Sequence, residues 1–237
     1  MGVWLGLHSG SGGVGKRSRS PVQTFIARLI GIGLTYFALA EPGNAEAAAG
    51  SMLAHASHLV SVLVLYALSS EILDSVPKPP QAAFISAALH IFSPAGLFLS
   101  APYAESPFAL LQISGYYFYV RSRKHGTVGR SFSGNAEAVI SGLLFGLSTT
   151  LRSNGLLNGI LFAWDAIEYS IELLRYRLMV PALQKLAGVV TAGLLILTGA
   201  VLPQYLAHQE YCSVEPARTW CNKSIPSIYA WVQSHYW

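Results

Sequence analysis

HIFSPAGLFLSAPYAESPFALL, residues His90–Leu111, is the stretch whose reading decides the fold. It sits among long apolar runs, yet it carries Pro94, Pro102 and Pro107, a string of small residues and one carboxylate, Glu105. Each proline removes a backbone donor and clashes with the preceding turn, so three in one span break any continuous helix. In a bilayer such breaks survive only where the freed backbone is buried in protein or lines a watery cavity. The stretch is therefore either a Pro-rich turn joining two helices or a broken segment built around a cavity.

Composition decides the solvent. Of the 237 residues, 52% are apolar and only 11% charged, and the mean hydropathy is +0.44. Soluble domains carry about 25% charged residues, so this is the composition of an integral membrane protein. Twelve Tyr and five Trp supply the side chains favoured at bilayer interfaces. The net charge of +4 lies in short clusters between apolar runs, which argues against a nucleic-acid-binding face. The two cysteines, Cys212 and Cys221, form neither a CxxC motif nor a metal-ligand spacing.

Residues 1–21 read as a flexible basic tail with Lys16, Arg17 and Arg19. Its GSGGVGKR run misses the phosphate-binding GxxxxGK[ST] loop, because Arg17 stands where Ser or Thr is needed and no strand precedes it. Apolar spans follow near 22–40, 52–73, 82–101, 106–121, 136–152, 155–174 and 180–202. They predict an all-α, multi-spanning helical bundle of about seven spans, several shorter than the ~20 residues a crossing needs. DSVPKPPQ and RSRKHGTVGR read as loops, and no internal repeat is visible. The expected division is the tail at 1–21, a membrane domain at 22–202 and a loop segment at 203–237.

Cations set the orientation. With the N-terminus cytosolic, that side receives Lys16, Arg17, Arg19, Lys78, Arg121, Arg123, Lys124, Arg130, Arg175, Arg177 and Lys185, against only Arg152, Arg218 and Lys223 opposite. Glu105, Arg152 and residues 203–237 then face the lumen. Asn222-Lys223-Ser224 is a glycosylation acceptor pattern, meaningful on that side. Cys212 and Cys221 share the same segment, in a compartment where a disulfide persists.

Arg152 is the costliest residue to place at bilayer depth. It reads either as an interfacial anchor or, beside Ser153, Asn154 and Gly155, as a guanidinium held at a helix break. There it can pair with a phosphate through two parallel hydrogen bonds. Glu105 reads as a first-turn carboxylate suited to the helix dipole, or as a group that binds sugar hydroxyls beside Tyr103 and Ser100, or as a general base. His55 and His58 share a helix face without an acidic third ligand, so they read as hydrogen-bonding histidines and no metal site is expected.

Three blocks carry a resemblance. SPAGLFLSAPYAES, LRSNGLLNG and the terminal WCNKSIPSIYAWVQSHYW resemble, in order and spacing, segments of the second GPI mannosyltransferase family of the endoplasmic reticulum. The resemblance runs from about residue 50 to the end. It implies a GT-C-like membrane core and transfer of the second mannose (alpha-1,6) from dolichol-phosphate-mannose onto the GPI glycolipid precursor at the lumenal face. With such a donor, the chemistry of the residues themselves makes Ser100, Tyr103, Glu105, Arg152 and Asn154 the candidates for substrate contact. The donor is a lipid-phosphate sugar, so no cofactor is expected. The implied partners are the two lipid substrates and the membrane, with room for a small membrane partner subunit and no nucleic acid.

One departure stands against the family pattern. The family places an Asp-containing motif, taken as the catalytic base, in its first lumenal loop. Here the corresponding EPGNAEAAAG has Glu41 and Glu46 and no Trp-Asp. Trp164-Asp165 occurs after the RSNG block, in the wrong order, and Asp165 reads with Glu168 and Glu172 as a polar helix face. The expectation is a fragment lacking the N-terminal catalytic loop and C-terminal spans, with its catalytic residue unknown. The alternatives are a catalytically incomplete or pseudoenzyme subunit, or a lipid transporter or scramblase.

Overall fold

The computed structural model describes residues 42–74, 79–93, 103–127, 131–176, 180–213, 218–222 and 227–236. The basic tail with its GSGGVGKR run, the expected span at 22–40 and Ser100 lie outside the described residues. Every regular element among those described is helical: α1 (Pro42–Ile72), α2 (Pro79–Ile91), α3 (Glu105–Thr127), α4 (Ser131–Leu151), a 3-10 turn (Ser153–Asn158), α5 (Gly159–Tyr176), α6 (Val180–Cys212) and α7 (Ile228–Tyr236). The all-α expectation therefore holds.

Two of these helices, over Ala48–Ile72 and Ala182–Cys212, are long and apolar enough to cross a bilayer. The seven crossings read from the sequence are thus only partly matched by full-length apolar helices. α2 has 13 residues, about 20 Å of helix against a hydrocarbon core of about 30 Å. α3 is long enough, but its last turns carry Arg121, Arg123 and Lys124.

Two loop expectations are corrected. EPGNAEAAAG is not a loop from Pro42 onward but the first turns of α1. Proline suits the first helical position, and the Ala-rich run after it has the highest helix propensity. RSRKHGTVGR is helical through Thr127. Four of its charged or ionisable side chains reach neighbouring helices while staying partly exposed. Lys124 Nζ donates to Glu71 Oε2 at 2.9 Å and to the Glu71 carbonyl at 2.7 Å. Arg121 Nε donates to Glu137 Oε1 at 3.1 Å, and His125 Nδ1 lies 2.7 Å from Glu137 Oε2. Partners on α1 and α4 thus extend α3 by two turns beyond its apolar part.

The core lies where α3, α4, α5 and α6 meet, around Ala138, Phe145, Phe162, Val189, Ala192 and Ile196. Lipid tails are as apolar as leucine, so helices in a membrane associate through close packing of small residues. Here Gly142 abuts Ala192, Gly146 abuts the Leu195 carbonyl and Gly199 abuts Gly146, which brings the α4 and α6 backbones together. Across the bundle the rings of Tyr116 and Phe145, Tyr119 and Phe162, and Phe145 and Phe162 meet edge to face, with centroids 5.0, 5.5 and 6.2 Å apart.

α6 does not stop at Leu202 but continues through Pro203 to Cys212. A disulfide joins Cys212 to Cys221, and Trp220 beside it is buried, its ring 6.3 Å from that of His208. Ser227 Oγ donates to Gln204 Oε1 at 2.6 Å and accepts the Ala230 N–H at the start of α7. This hydrogen-bonded cap ties the last helix back to α6.

Candidate functional site

The site is made by the end of α4 and the start of α3. At Arg152 the chain leaves the helix into an extended conformation (φ −148°, ψ 130°). The Arg152 N–H still donates to the Ser148 carbonyl at 3.0 Å, while its own carbonyl accepts the Gly155 N–H at 2.9 Å. That second bond closes the 3-10 turn. Gly155 is required there for space, because a Cβ would lie 2.6 Å from Thr149 Oγ1 and 2.7 Å from Thr149 Cα. The RSNG motif thus has a local explanation: the Arg ends the helix, and the Gly lets the turn close over it.

The Arg152 side chain folds toward α3. Nη1 donates to Glu105 Oε1 at 3.2 Å, and the guanidinium sits over the Phe108 ring, 5.4 Å from its centroid. The pair is largely enclosed, with side-chain exposures of 15% for Arg152 and 26% for Glu105. Nε is buried without a hydrogen-bond partner. A guanidinium presents five N–H donors in a planar fork, so this one retains capacity for an anion after binding Glu105. Glu105 in turn opens α3, where a carboxylate interacts favourably with the helix N-terminus.

Of the residues expected at a substrate site, Glu105 and Arg152 are brought into direct contact. Tyr103 is half-buried two residues before Glu105, whereas Asn154 is exposed in the 3-10 turn. Taken separately in the sequence, Arg152 reads as an interfacial anchor or a phosphate ligand, and Glu105 as a first-turn carboxylate, a sugar-binding group or a general base. The structure makes each the other's counter-ion.

Beneath the pair lies a set of polar side chains that sequence reading passed over. Tyr116 Oη donates to Asn158 Oδ1 at 2.7 Å, Asn158 Nδ2 donates to Gln112 Oε1 at 3.0 Å, and Gln112 Nε2 donates to Ser148 Oγ at 2.8 Å. A legible signal existed. Gln112 lies in an apolar span and Asn158 in an apolar run, and side-chain amides there need partners.

A second polar cluster lies near the other end of the bundle. Asp165 is not on a polar helix face; it is 2% exposed and accepts from Arg123 Nη1 at 2.9 Å. Glu168, itself exposed, accepts from the same nitrogen at 3.0 Å. The pairing with Arg123, which sequence reading placed in a loop, permits the burial. Eighteen residues of α3 separate Glu105 from Arg123, about 27 Å of helix, so Asp165 belongs to a different place from Arg152.

Two of the described histidines on α1 have other contacts. His55 Nδ1 lies 2.8 Å from the Ser51 carbonyl, and the His58 ring packs on His90 with centroids 5.1 Å apart. Among the described residues no three potential metal ligands converge.

Comparisons with known proteins identify the family. The sequence pattern described as "Mannosyltransferase (PIG-V)" matches residues 42–237. The chain is 42% identical over 187 residues to GPI mannosyltransferase 2 of Aspergillus oryzae, covering 78% of this chain and 43% of that protein. With its counterpart in Aspergillus fumigatus it shares 43% identity over 181 residues, 76% of this chain and 41% of the relative. With that of Chaetomium globosum it shares 36% over 240 residues, 90% and 50% respectively. The chain thus spans half or less of the length of these relatives. No solved structure matches it. By the extent of the family match, which includes the turn that holds Arg152, the chain belongs to the mannosyltransferase family described as PIG-V.

Proposed function

We propose that this chain serves in the transfer of the second, alpha-1,6-linked mannose from dolichol-phosphate-mannose to the GPI-anchor precursor, at the lumenal face of the endoplasmic reticulum membrane. In this reading it is a multi-pass glycosyltransferase with a cytosolic N-terminus and with residues 203–237 in the lumen. Arg152 binds the donor phosphate, and Tyr103, Glu105, Asn154 and Ser100 surround the sugar and the acceptor.

The observation that carries the reading is Arg152 itself: an enclosed guanidinium bonded through Nη1 to one carboxylate oxygen, with Nε unpartnered. When mannose leaves a lipid phosphate, negative charge develops on that phosphate, and a fixed guanidinium stabilises it where water is excluded. Glu105 keeps the cation compensated and oriented before the donor arrives. As the phosphate takes up the free donors of the fork, Glu105 remains at Nη1, beside the sugar end. The relatives named GPI mannosyltransferase 2 support the acceptor class.

The test is rescue of GPI-anchor synthesis in cells lacking the second mannosyltransferase. It uses this chain and also a chimera in which residues 42–237 replace the matching part of the Aspergillus oryzae relative. The chimera should restore surface GPI-anchored protein, and Arg152→Lys within it should abolish rescue at equal protein level. Lysine keeps the charge but lacks the planar fork. Near-normal rescue by Arg152→Lys would return Arg152 to the role of interfacial anchor.

A further inference from the structure

We propose that Asn158 is the positioning residue of the Arg152 site: its carboxamide holds the 3-10 turn so that the guanidinium is presented beside Glu105. The inference deepens the phosphate-binding reading of Arg152 and rests on it for its functional meaning.

Asn158 is 5% exposed, and its carboxamide is bonded on both sides. Its Oδ1 accepts from Tyr116 Oη at 2.7 Å. Its Nδ2 donates both hydrogens, to Gln112 Oε1 at 3.0 Å and to the Gly155 carbonyl at 2.8 Å. The last bond lies inside the turn, three residues from Arg152. The others lead back to Arg152 from the opposite direction. Gln112 Nε2 donates to Ser148 Oγ at 2.8 Å, and the Ser148 carbonyl accepts the Arg152 N–H at 3.0 Å. Arg152 is therefore held between two points, Ser148 before it and Gly155 after it, and Asn158 reaches both, the first through Gln112.

An amide that only joined helices would have no need to bind a carbonyl within the turn. Here the turn, α3 and α4 share one network, buried at Asn158 and Ser148 and partly exposed at Gln112 and Tyr116, in which each bonded group orients the next, and such networks specify a single geometry. Precise placement matters at a reacting centre, where a displacement of about 1 Å costs on the order of a hundredfold in rate. The network also explains why an apolar run carries Asn158 at all. A buried amide without partners is strongly disfavoured.

The test reads Arg152 directly and needs no catalytic turnover. The full chain in detergent micelles is treated with phenylglyoxal, and the adduct at Arg152 is followed in time by peptide mass spectrometry. Asn158→Ala should raise the Arg152 labelling rate about tenfold, the factor equivalent to about 1.4 kcal/mol of lost restraint. Tyr116→Phe removes a single hydroxyl and keeps the ring, and should give a smaller but clear increase. Val189→Ala, in the core cluster but outside the network, should leave the rate unchanged. An unsubstituted rate in both Asn158→Ala and Tyr116→Phe overturns the proposal. So does an equal rise in Val189→Ala, which would mean general loosening. If Asn158→Ala does not fold, Tyr116→Phe decides alone. Adding dolichyl phosphate to the unsubstituted chain separates the two readings: failure to protect Arg152 sinks the phosphate-binding role, while the rate comparison without ligand judges Asn158 on its own.

Discussion

The close approach of α4 and α6 makes the same substitution act in opposite directions at two glycines of that pair. At Gly146, an added Cβ would stand 2.6 Å from the Leu195 carbonyl oxygen and 3.1 Å from its carbon, inside the 3.4 Å at which ordinary contact begins. Both atoms are backbone, so no rotamer change relieves the overlap and the two helices must part. Overpacking of this kind costs about 1–3 kcal/mol, offset by about 1 kcal/mol from the better helix propensity of alanine. At Gly193 on α6 nothing lies within 4 Å of the added carbon. There only the propensity gain remains, about 0.5–1 kcal/mol. The two variants should therefore differ by about 2 kcal/mol, which at about 2–4 °C per kcal/mol separates their melting temperatures by about 4–8 °C. Thermal unfolding followed by far-UV circular dichroism, in one detergent for all three proteins, measures this. Gly146→Ala should melt below the unsubstituted chain and Gly193→Ala at or above it. Equal melting temperatures for the two variants would refute the claim that backbone contact, rather than glycine content, organises this pair.

Three further outcomes are expected. Asp165→Leu should destabilise by about 2 kcal/mol, because Arg123 then keeps the exposed Glu168 but loses its buried partner, whereas adding Arg123→Met should recover most of that loss; full additivity of Asp165→Leu and Arg123→Met in chemical unfolding would contradict the pairing. Cys212 and Cys221 should resist alkylation until reductant is added, and cutting their bridge should cost about 2–3 kcal/mol for so short a loop; labelling of either without reductant rules the bridge out. Asn222 is exposed in the turn after Cys221 and should carry glycan in cells; a glycosidase-sensitive mobility shift that persists in Asn222→Gln would place the modification elsewhere.

The sequence alone determined the solvent, the element type and the family. Half of the residues are apolar and only 11% are charged, less than half the share usual in soluble domains, which points to a membrane. Apolar runs of helical length do not depend on context to become helices, because a backbone in lipid must satisfy itself. The motifs SAPYAES and LRSNG marked the family because their prolines, glycine and charges are local exceptions in an apolar text. Helix ends were less legible. α3 runs on through Arg121 and Lys124 because Glu137 and Glu71 wait on other helices, and no local signal reports a partner 16 or 53 residues away.

Tertiary structure alone decided who faces whom. Glu105 and Arg152 are 47 residues apart and each has a sound local reading as a first-turn acid or an anchor. Folding α3 against α4 turned two separate candidates into one ion pair. The same packing removed Asp165 from a polar face and hid it against Arg123. It also gave Gln112, Tyr116 and Asn158 the partners that make them affordable in an apolar bundle. The physical reason is common to all of these. A charge or amide at bilayer depth is tolerated only when paired, and pairing across helices depends on how closely α3 packs on α4, where a Cβ at Gly115 would lie 2.6 Å from the Phe145 ring, rather than on any neighbour in sequence.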